Sequence, residues 1–226
     1  MTIQNIFKEN TRYKAFFLSL LLSAIGFGLY KGVIDNYMAE VVRINEMERG
    51  ITEFFRELPG LMLVLILALF YRFSAEKMYK MGLVIMVLGM GLQAFVSPVK
   101  FLVIMAIFIY SLGEHIQLGM KNTLSLEYSR DGYGGQALGY QNSIYQIGNL
   151  AGYIVVIVAF SMLAGGIGSG NSGARLFKPV FIVAAAFMFL AMLVAFRLTG
   201  TSSTDKEKRR FYFRRKPSRK IICNLI

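Results

Sequence analysis

Ionisable side chains occur at helical spacing inside stretches that are otherwise apolar. Lys31 and Asp35 are four residues apart, and side chains at that spacing lie on the same face of a helix. They can therefore neutralise each other, which limits the cost of taking two charges out of water. The pair predicts either a cavity site that binds a solute or exchanges a proton, or an ion pair that reaches the outer membrane interface.

Glu114 and His115 stand next to each other in another apolar stretch, and His115 is the only histidine of the chain. Histidine is the side chain that changes charge near physiological pH. Neighbouring residues of a helix point about 100° apart, so the two side chains need different partners. They predict either a proton-linked or solute-contacting site, or a buried network of hydrogen bonds.

Three amide side chains, Asn142, Gln146 and Asn149, follow the spacing i, i+4, i+7. This spacing places them in one stripe along a helix. Glycine pairs at 135/139 and 148/152 allow neighbouring helices to approach closely on other faces. Because lipid offers no hydrogen bonds, the stripe predicts a helix that lines an aqueous path, or one whose amides bond to neighbouring helices.

The residues form no recognised catalytic or metal-binding pattern. The chain has one cysteine and one histidine, which leaves no disulfide framework and no cysteine-based metal site. Neither an HExxH motif nor a phosphate-binding GxxxxGK[ST] loop is present. We therefore predict no enzyme activity, no metal and no cofactor.

Six apolar stretches carry these polar residues. A helix needs about 20 apolar residues to cross a bilayer. The 55% hydrophobic and 17% charged content of the chain also departs from the roughly 45–50% and 25% of soluble domains. The predicted spans are residues 15–39, 52–71, 78–96, 99–120, 136–162 and 179–198. The second carries Glu53, Arg56 and Glu57, which we place at the interface, and Pro59-Gly60, which predicts a kink. The sequence therefore predicts an all-α membrane protein with six transmembrane helices.

The basic residues predict the orientation. Of the 25 Lys and Arg residues, ten lie between residues 197 and 220, and basic connections stay on the cytoplasmic side. We expect a six-span domain at residues 1–198 in the cell membrane, with both termini cytoplasmic. Residues 199–226 are then a basic cytoplasmic tail beside anionic lipid, and not a site for nucleic acid.

The order of these features resembles the N-terminal half of a major facilitator superfamily transporter. The resemblance covers residues 16 to about 220. It rests on six spans with cytoplasmic ends, glycine-rich fourth and fifth spans, a linker-like basic tail and the short basic turn from Tyr71 to Lys77. In that turn Arg72 matches the family, whereas Tyr71 stands in place of an Asp and Ser74 in place of a Gly. His115 stands four residues before Gly119, where the family often has an Arg.

The resemblance implies a secondary transporter that works by alternating access on an unidentified small solute. It implies a gating role for Arg72, Glu76 and Lys77. A complete member has about twelve spans, so we expect a truncated or half-size member that pairs with a second six-helix half or with itself. The alternative is a membrane scaffold or assembly protein that transports nothing, or a non-functional fragment.

Overall fold

The computed structural model describes residues 6–8, 11–164 and 171–198. That part of the chain is helical. Its helices are α1 (Thr11–Tyr37), α2 (Glu46–Leu61), α3 (Leu63–Leu69), α4 (Ala75–Phe95), α5 (Lys100–Tyr128), α6 (Gly134–Ala164) and α7 (Asn171–Phe196), and the π-helical turn Met38–Val42 extends α1. The only β-type pairing there is an isolated bridge between Phe7 and Ser129. The prediction of an all-α chain is confirmed. The basic tail, residues 199–226, lies outside the described residues.

Five of the helices are long and apolar enough to cross a membrane. They are Arg12–Val42, Ala75–Phe95, Lys100–Tyr128, Gly134–Leu163 and Ala174–Phe196. They match the first, third, fourth, fifth and sixth predicted spans. This composition supports a multi-pass membrane protein.

The second predicted span, residues 52–71, is not a single helix. Met62 separates α2, which has 16 residues, from α3, which has 7 residues. These two shorter helices stand where one long helix was predicted. Pro59 lies within α2; proline lacks an N–H and its ring clashes with the preceding turn, which weakens the helix there. The described residues therefore contain five single-helix candidate spans, with a divided segment where the sixth was predicted.

Helix packing brings α1 and α5 to the middle of the bundle. α1 packs against α6 and α7, α4 packs against α5 and α7, and α2 packs against α5. A Cβ on Gly152 would lie 2.5 Å from the Ile25 carbonyl oxygen, and one on Gly148 would lie 2.8 Å from Ala24 Cβ. These glycines therefore permit the predicted close approach of α6, here to α1. Gly135 and Gly139 have no such neighbour among the described residues.

Polar contacts mark the two ends of the bundle. At the first, which we call the Glu48 end, Lys100 at the start of α5 donates a 2.7 Å hydrogen bond to Glu48 of α2. At the second, the Tyr128 end, the Tyr128 hydroxyl at the end of α5 donates to the Glu76 carboxylate at the start of α4 (2.7 Å). Since α2 begins at one end and α4 at the other, α2 and α3 together lead across the bundle.

Both outer limits of the described chain lie at the Tyr128 end. The Lys8 backbone N–H donates to the Tyr128 carbonyl (3.0 Å), and the Arg130 N–H donates to the Ile6 carbonyl (2.9 Å). Lys80, in the second turn of α4, donates to the carbonyl of Leu198. The first and last described residues are therefore on the same side of the bundle.

Candidate functional site

Glu114 of α5 is a buried carboxylate in the middle of the bundle, with 8% of the residue exposed. It forms no ion pair with any residue that the structure describes. Its basic neighbours come from three helices: Lys31 of α1, Arg56 of α2 and His115 of α5. The helix packing thus surrounds one carboxylate with basic groups that are not bonded to it.

Two buried tyrosines stand beside this carboxylate. The rings of Tyr30 and Tyr110 lie 4.3 Å apart between α1 and α5. The Tyr30 hydroxyl has no hydrogen-bond partner among the described residues, whereas the Tyr110 hydroxyl lies beside the Glu114 carboxylate and interacts with it. A buried hydroxyl without a partner is destabilising, so Tyr30 points to a position where a polar partner is expected. Sequence reasoning missed both, because tyrosine is also an ordinary core residue.

His115 lies at the contact between α2 and α5. Its Nδ1 is 2.9 Å from the Ser111 carbonyl, an acceptor, so Nδ1 carries a hydrogen. Its Nε2 then faces the Glu57 carboxylate at 3.6 Å. The Ser111 hydroxyl donates to the Arg56 carbonyl, in the turn that precedes Pro59. The ring therefore joins the divided segment to α5.

The predicted ion pair between Lys31 and Asp35 is not present. Asp35 lies 3.6 Å from Arg49 instead, because the end of α1 meets the start of α2 there. Lys31 Nζ lies over the ring of Phe27, 5.7 Å from its centroid. Lys31 forms no ion pair with a described residue, so no carboxylate neutralises its charge at ion-pair distance.

Lys121 of α5 is buried, with 6% of the residue exposed. Its Nζ lies 3.6 Å from the centroid of the Tyr145 ring on α6, and it forms no ion pair with a described residue. A desolvated cation–π contact contributes about 2 kcal/mol, whereas burial of a charge costs several kcal/mol. The contact with the Tyr145 ring alone therefore does not offset the free-energy cost of burying the Lys121 ammonium group.

Sequence reasoning missed Lys121 because it ended the fourth span at Met120 and assigned the lysine to a cytoplasmic loop. α5 continues to Tyr128, which places Lys121 inside the helix. The available signal was the absence of any helix-breaking residue between Met120 and Tyr128.

The amide stripe lies at the outside of the bundle. Asn142 and Gln146 are exposed on α6, and Asn149 is half-buried. The Asn149 Oδ1 atom has no hydrogen-bond partner among the described residues. The stripe borders the same face as Tyr145, which contacts both Phe27 (rings 5.9 Å apart) and Lys121. Tyr145 therefore links the helix that carries the stripe to Lys121 of α5.

We call this set, in which Glu114, Lys121 and Tyr145 are buried and Asn142 and Gln146 are exposed, the polar surface. Its members are Lys31, Glu114, Lys121, Asn142, Tyr145 and Gln146. They come from α1, α5 and α6, which are all candidate membrane spans. Among the described residues, no group of three or more His, Cys, Asp or Glu side chains is placed to hold a metal ion. The arrangement instead offers ammonium groups, a carboxylate and amides for a small polar solute.

The predicted gating residues lie apart from the polar surface, at the Tyr128 end. Arg72 and Lys77 are exposed and Glu76 is buried. Ser74 caps α4 by accepting a 3.4 Å hydrogen bond from the Lys77 N–H. No ion pair in the described part of the chain joins Arg72 to Glu76. The turn is thus built as a helix cap with an exposed arginine.

No protein-family model and no curated protein matches this sequence. The residues of the polar surface and their environments are therefore the basis for a functional assignment.

Proposed function

We propose that this chain is a membrane transporter, or half of one, that moves a small solute along the polar surface by alternating access. One observation carries the proposal. Asn142 and Gln146 are exposed on the candidate membrane span Gly134–Leu163, the helix whose Tyr145 contacts the buried Lys121. Hydrocarbon offers no hydrogen bonds to amides, and intramembrane polar residues face a bundle interior or a water-filled cavity. A water-filled transport path would supply hydrogen-bond partners to the two amides, and it is a place where intramembrane polar residues are found.

The proposal includes a partner that covers the polar surface. A second six-helix half or a second copy of this chain would complete the cavity, as in the major facilitator superfamily transporters that the sequence resembles. The exposed stripe supports this arrangement, because lipid is a poor neighbour for it. A non-transporting membrane scaffold remains the alternative function.

The proposal also includes six crossings in the cell membrane, with both termini cytoplasmic. Two observations support it. α2 and α3 together lead from the Glu48 end to the Tyr128 end, and Lys8 and Leu198 both lie at the Tyr128 end. The excess of basic residues in the connections at that end favours the cytoplasm.

Substitution of the stripe tests transport. We expect Asn142→Leu and Gln146→Leu to lower uptake about tenfold or more, because each removes a polar contact worth about 1–2 kcal/mol at the solute path. Uptake is measured in cells that express the chain, against cells that lack it, with a panel of labelled anionic, zwitterionic, neutral and cationic metabolites.

Ser143→Leu is the matched control. Ser143 is also exposed on α6, but its hydroxyl bonds to the Gly139 carbonyl of its own helix (2.9 Å) and it lies outside the stripe. It should leave uptake unchanged at equal membrane abundance. If no solute of the panel is taken up, the scaffold function is favoured instead. If the stripe variants transport like the control, the chain is a transporter whose solute does not pass along the stripe.

A further inference from the structure

We propose that the segment of residues 6–8, which we call the strap, fixes the position of α6 against α5 and thereby holds the Tyr145 ring over Lys121. The effect of the strap on the contact between α5 and α6 stands without the proposed function, and only its consequence for transport rests on that function. The proposal follows from the bonds of the strap to the end of α5, from the burial of Phe7 and from the order of the contacts between α5 and α6.

The backbone of the strap is paired with the chain that leads from α5 into α6. Phe7 and Ser129 form an antiparallel bridge, and one backbone hydrogen bond flanks it on each side (3.0 and 2.9 Å). Two side chains add to this pairing. Arg130 Nε donates to the Phe7 carbonyl, and Lys8 Nζ donates to the Glu127 carbonyl, both at 3.1 Å. The strap and the end of α5 therefore donate hydrogen bonds to each other in both directions.

Phe7 anchors the strap between α1 and α6. Only 1% of this residue is exposed. Its ring centroid lies 5.3 Å from that of Tyr13 and 5.0 Å from that of Phe17, both on α1, and 5.9 Å from that of Tyr140 on α6. Aromatic rings at these distances attract each other beyond the gain from burial alone. Phe7 therefore joins the three helices that carry the polar surface, because its ring contacts α1 and α6 while its backbone is paired with the end of α5.

The contacts between α5 and α6 continue from the strap toward the polar surface. Ser125, one turn of α5 before the bridge, donates a hydrogen bond to the Ala137 carbonyl of α6 (3.0 Å). One turn further along α5, the Lys121 ammonium lies over the Tyr145 ring. Elsewhere α6 packs mainly against α1, so these contacts set its position on α5. Since α6 is a single helix, a shift at the strap is carried to Tyr145.

Two buried serines supply matched reporters in a Cys223→Ser background. Ser125 donates to the Ala137 carbonyl of α6, and Ser19 of α1 donates to the Ala191 carbonyl of α7 (2.8 Å). Neither serine is exposed (0%). A cysteine at either position is close to serine in size and reacts with N-ethylmaleimide only when its contact opens locally. Ser125→Cys thus reports the contact between α5 and α6, and Ser19→Cys reports a contact that does not include α6.

Labelling of the purified full-length chain tests the strap. We expect Phe7→Ala to raise the labelling rate at position 125 about tenfold or more, because the loss of a buried aromatic anchor makes local opening more frequent. The rate at position 19 should stay within about twofold of its value with Phe7. Phe7→Leu keeps a large apolar side chain at the anchor, so it should restore most of the protection at position 125.

A tryptophan in place of Tyr145 reports the polar surface itself, because the chain has no tryptophan of its own. In the Tyr145→Trp variant, we expect Phe7→Ala to move the fluorescence emission to longer wavelength and to increase its quenching by acrylamide. Both changes follow if the ring leaves its buried contact with Lys121. Phe7→Leu should leave the emission and the quenching close to those of Tyr145→Trp alone.

Three results would overturn the proposal. They are an unchanged labelling rate at position 125 in Phe7→Ala, an equal rise at positions 125 and 19, and an emission of Tyr145→Trp that does not respond to Phe7→Ala. An equal rise at both positions would mean that Phe7 stabilises the whole bundle and does not position α6.

The uptake panel separates failure of the strap from failure of the proposed function, because labelling and emission need no solute. In a chain that transports, Phe7→Ala should lower uptake and Phe7→Leu should retain it. Uptake without the expected change at position 125 overturns the strap but leaves a transporter. The expected labelling and emission in a chain that takes up no solute support the strap and overturn transport.

Discussion

Two lysines of α5 show that the role of a charged side chain depends on the groups around that side chain. Lys100 has a side chain that is 45% exposed and is bonded to Glu48, so water and a carboxylate share its charge. Lys121 is buried against Tyr145 with no carboxylate in contact. The first stabilises a helix contact weakly. The second is destabilising unless something binds to it, and for that reason we include Lys121 in the proposed solute path.

Gly60 is needed where α2 meets His115. A Cβ there would lie 2.5 Å from His115 Nε2 and 2.6 Å from Cδ2, and the ring is held in place by Ser111. We expect Gly60→Ala to lower the free energy of unfolding by about 1 kcal/mol, because a clash cost of about 1–3 kcal/mol exceeds the gain in helix propensity of up to about 1 kcal/mol. Denaturant unfolding of the wild type and of Gly60→Ala, monitored by circular dichroism, measures this difference in the free energy of unfolding.

Gly50→Ala is the control for this substitution. Gly50 lies on the same helix with no atom within 4 Å of the new Cβ, so alanine should stabilise by up to about 1 kcal/mol. In a His115→Ala background, Gly60→Ala should lose its penalty, which a double-mutant cycle detects. An equal effect of both glycine substitutions in the wild type would contradict the contact.

The divided segment is the element in which sequence and structure differ most. Pro59 and Gly60 both weaken a helix, and the last turn of α2 is held by contacts to α5 through Ser111 and His115. The helix continues through Pro59-Gly60, where a kink was predicted, and is interrupted at Met62.

The contact of α2 with α5 at the Glu48 end should depend on pH. The hydrogen bond from Lys100 lowers the pKa of Glu48 below its usual range. A lowered pKa in the folded state means that the stabilisation is present above the ordinary pKa of glutamate and is lost as the pH falls through the lowered value. We expect Glu48→Gln to lower the Tm by a few degrees at most at about pH 7 and to have no effect at about pH 3.

Glu46→Gln is the control for the pH experiment. Glu46 lies in the same first turn of α2 and has no ion pair in the described part of the chain, so its effect reports only the charge near the helix start. Glutamine at position 48 can keep the capping hydrogen bond from the Asn45 N–H, and the part of the effect that disappears in a Lys100→Met background reports the contact with Lys100. A Glu48→Gln effect that is the same at both pH values would show that Lys100 contributes nothing.

At the scale of the whole molecule, burial is uneven among the helices. We compared the most apolar 18 residues of each helix. Of these residues, 61% are buried in α1, but only 22% are buried in α6 and 28% in α7. α1 is thus central and α6 is peripheral. The exposed surface of α6 divides into an apolar part suited to lipid and the amide stripe, which is not. This division indicates the side on which a second half would pack.

The number of crossings is testable with single cysteines in a Cys223→Ser background. Met47→Cys and Val99→Cys lie at the Glu48 end, and Lys77→Cys and Asp131→Cys lie at the Tyr128 end; all four positions are exposed. If α2 and α3 cross the membrane together, the two pairs react with an impermeant maleimide from opposite sides. We expect labelling of intact cells at 47 and 99, and labelling at 77 and 131 only after permeabilisation.

Labelling of positions 47 and 77 from the same side would mean that the divided segment does not cross. The chain would then have five crossings, and its two ends would lie on opposite sides of the membrane. Positions 99 and 131 serve as the internal control, because they flank α5, a single candidate span.

The sequence by itself determined the helical class, five of the spans and the presence of Glu114, His115 and the amide stripe. These features are local: apolar length and helical spacing do not depend on which elements become neighbours. The stripe was predicted to line a path, and its placement beside Tyr145 and Lys121 leaves that prediction standing as the proposed function.

Only the tertiary structure decided which charges are paired. Lys31 and Asp35 have the spacing of an ion pair, yet Asp35 lies beside Arg49 of another helix. Lys121 could be recognised as buried only once α6 was placed against α5. Pairing and burial are properties of contacts between helices distant in sequence, and the energy that decides them, desolvation against Coulomb attraction, depends on those neighbours.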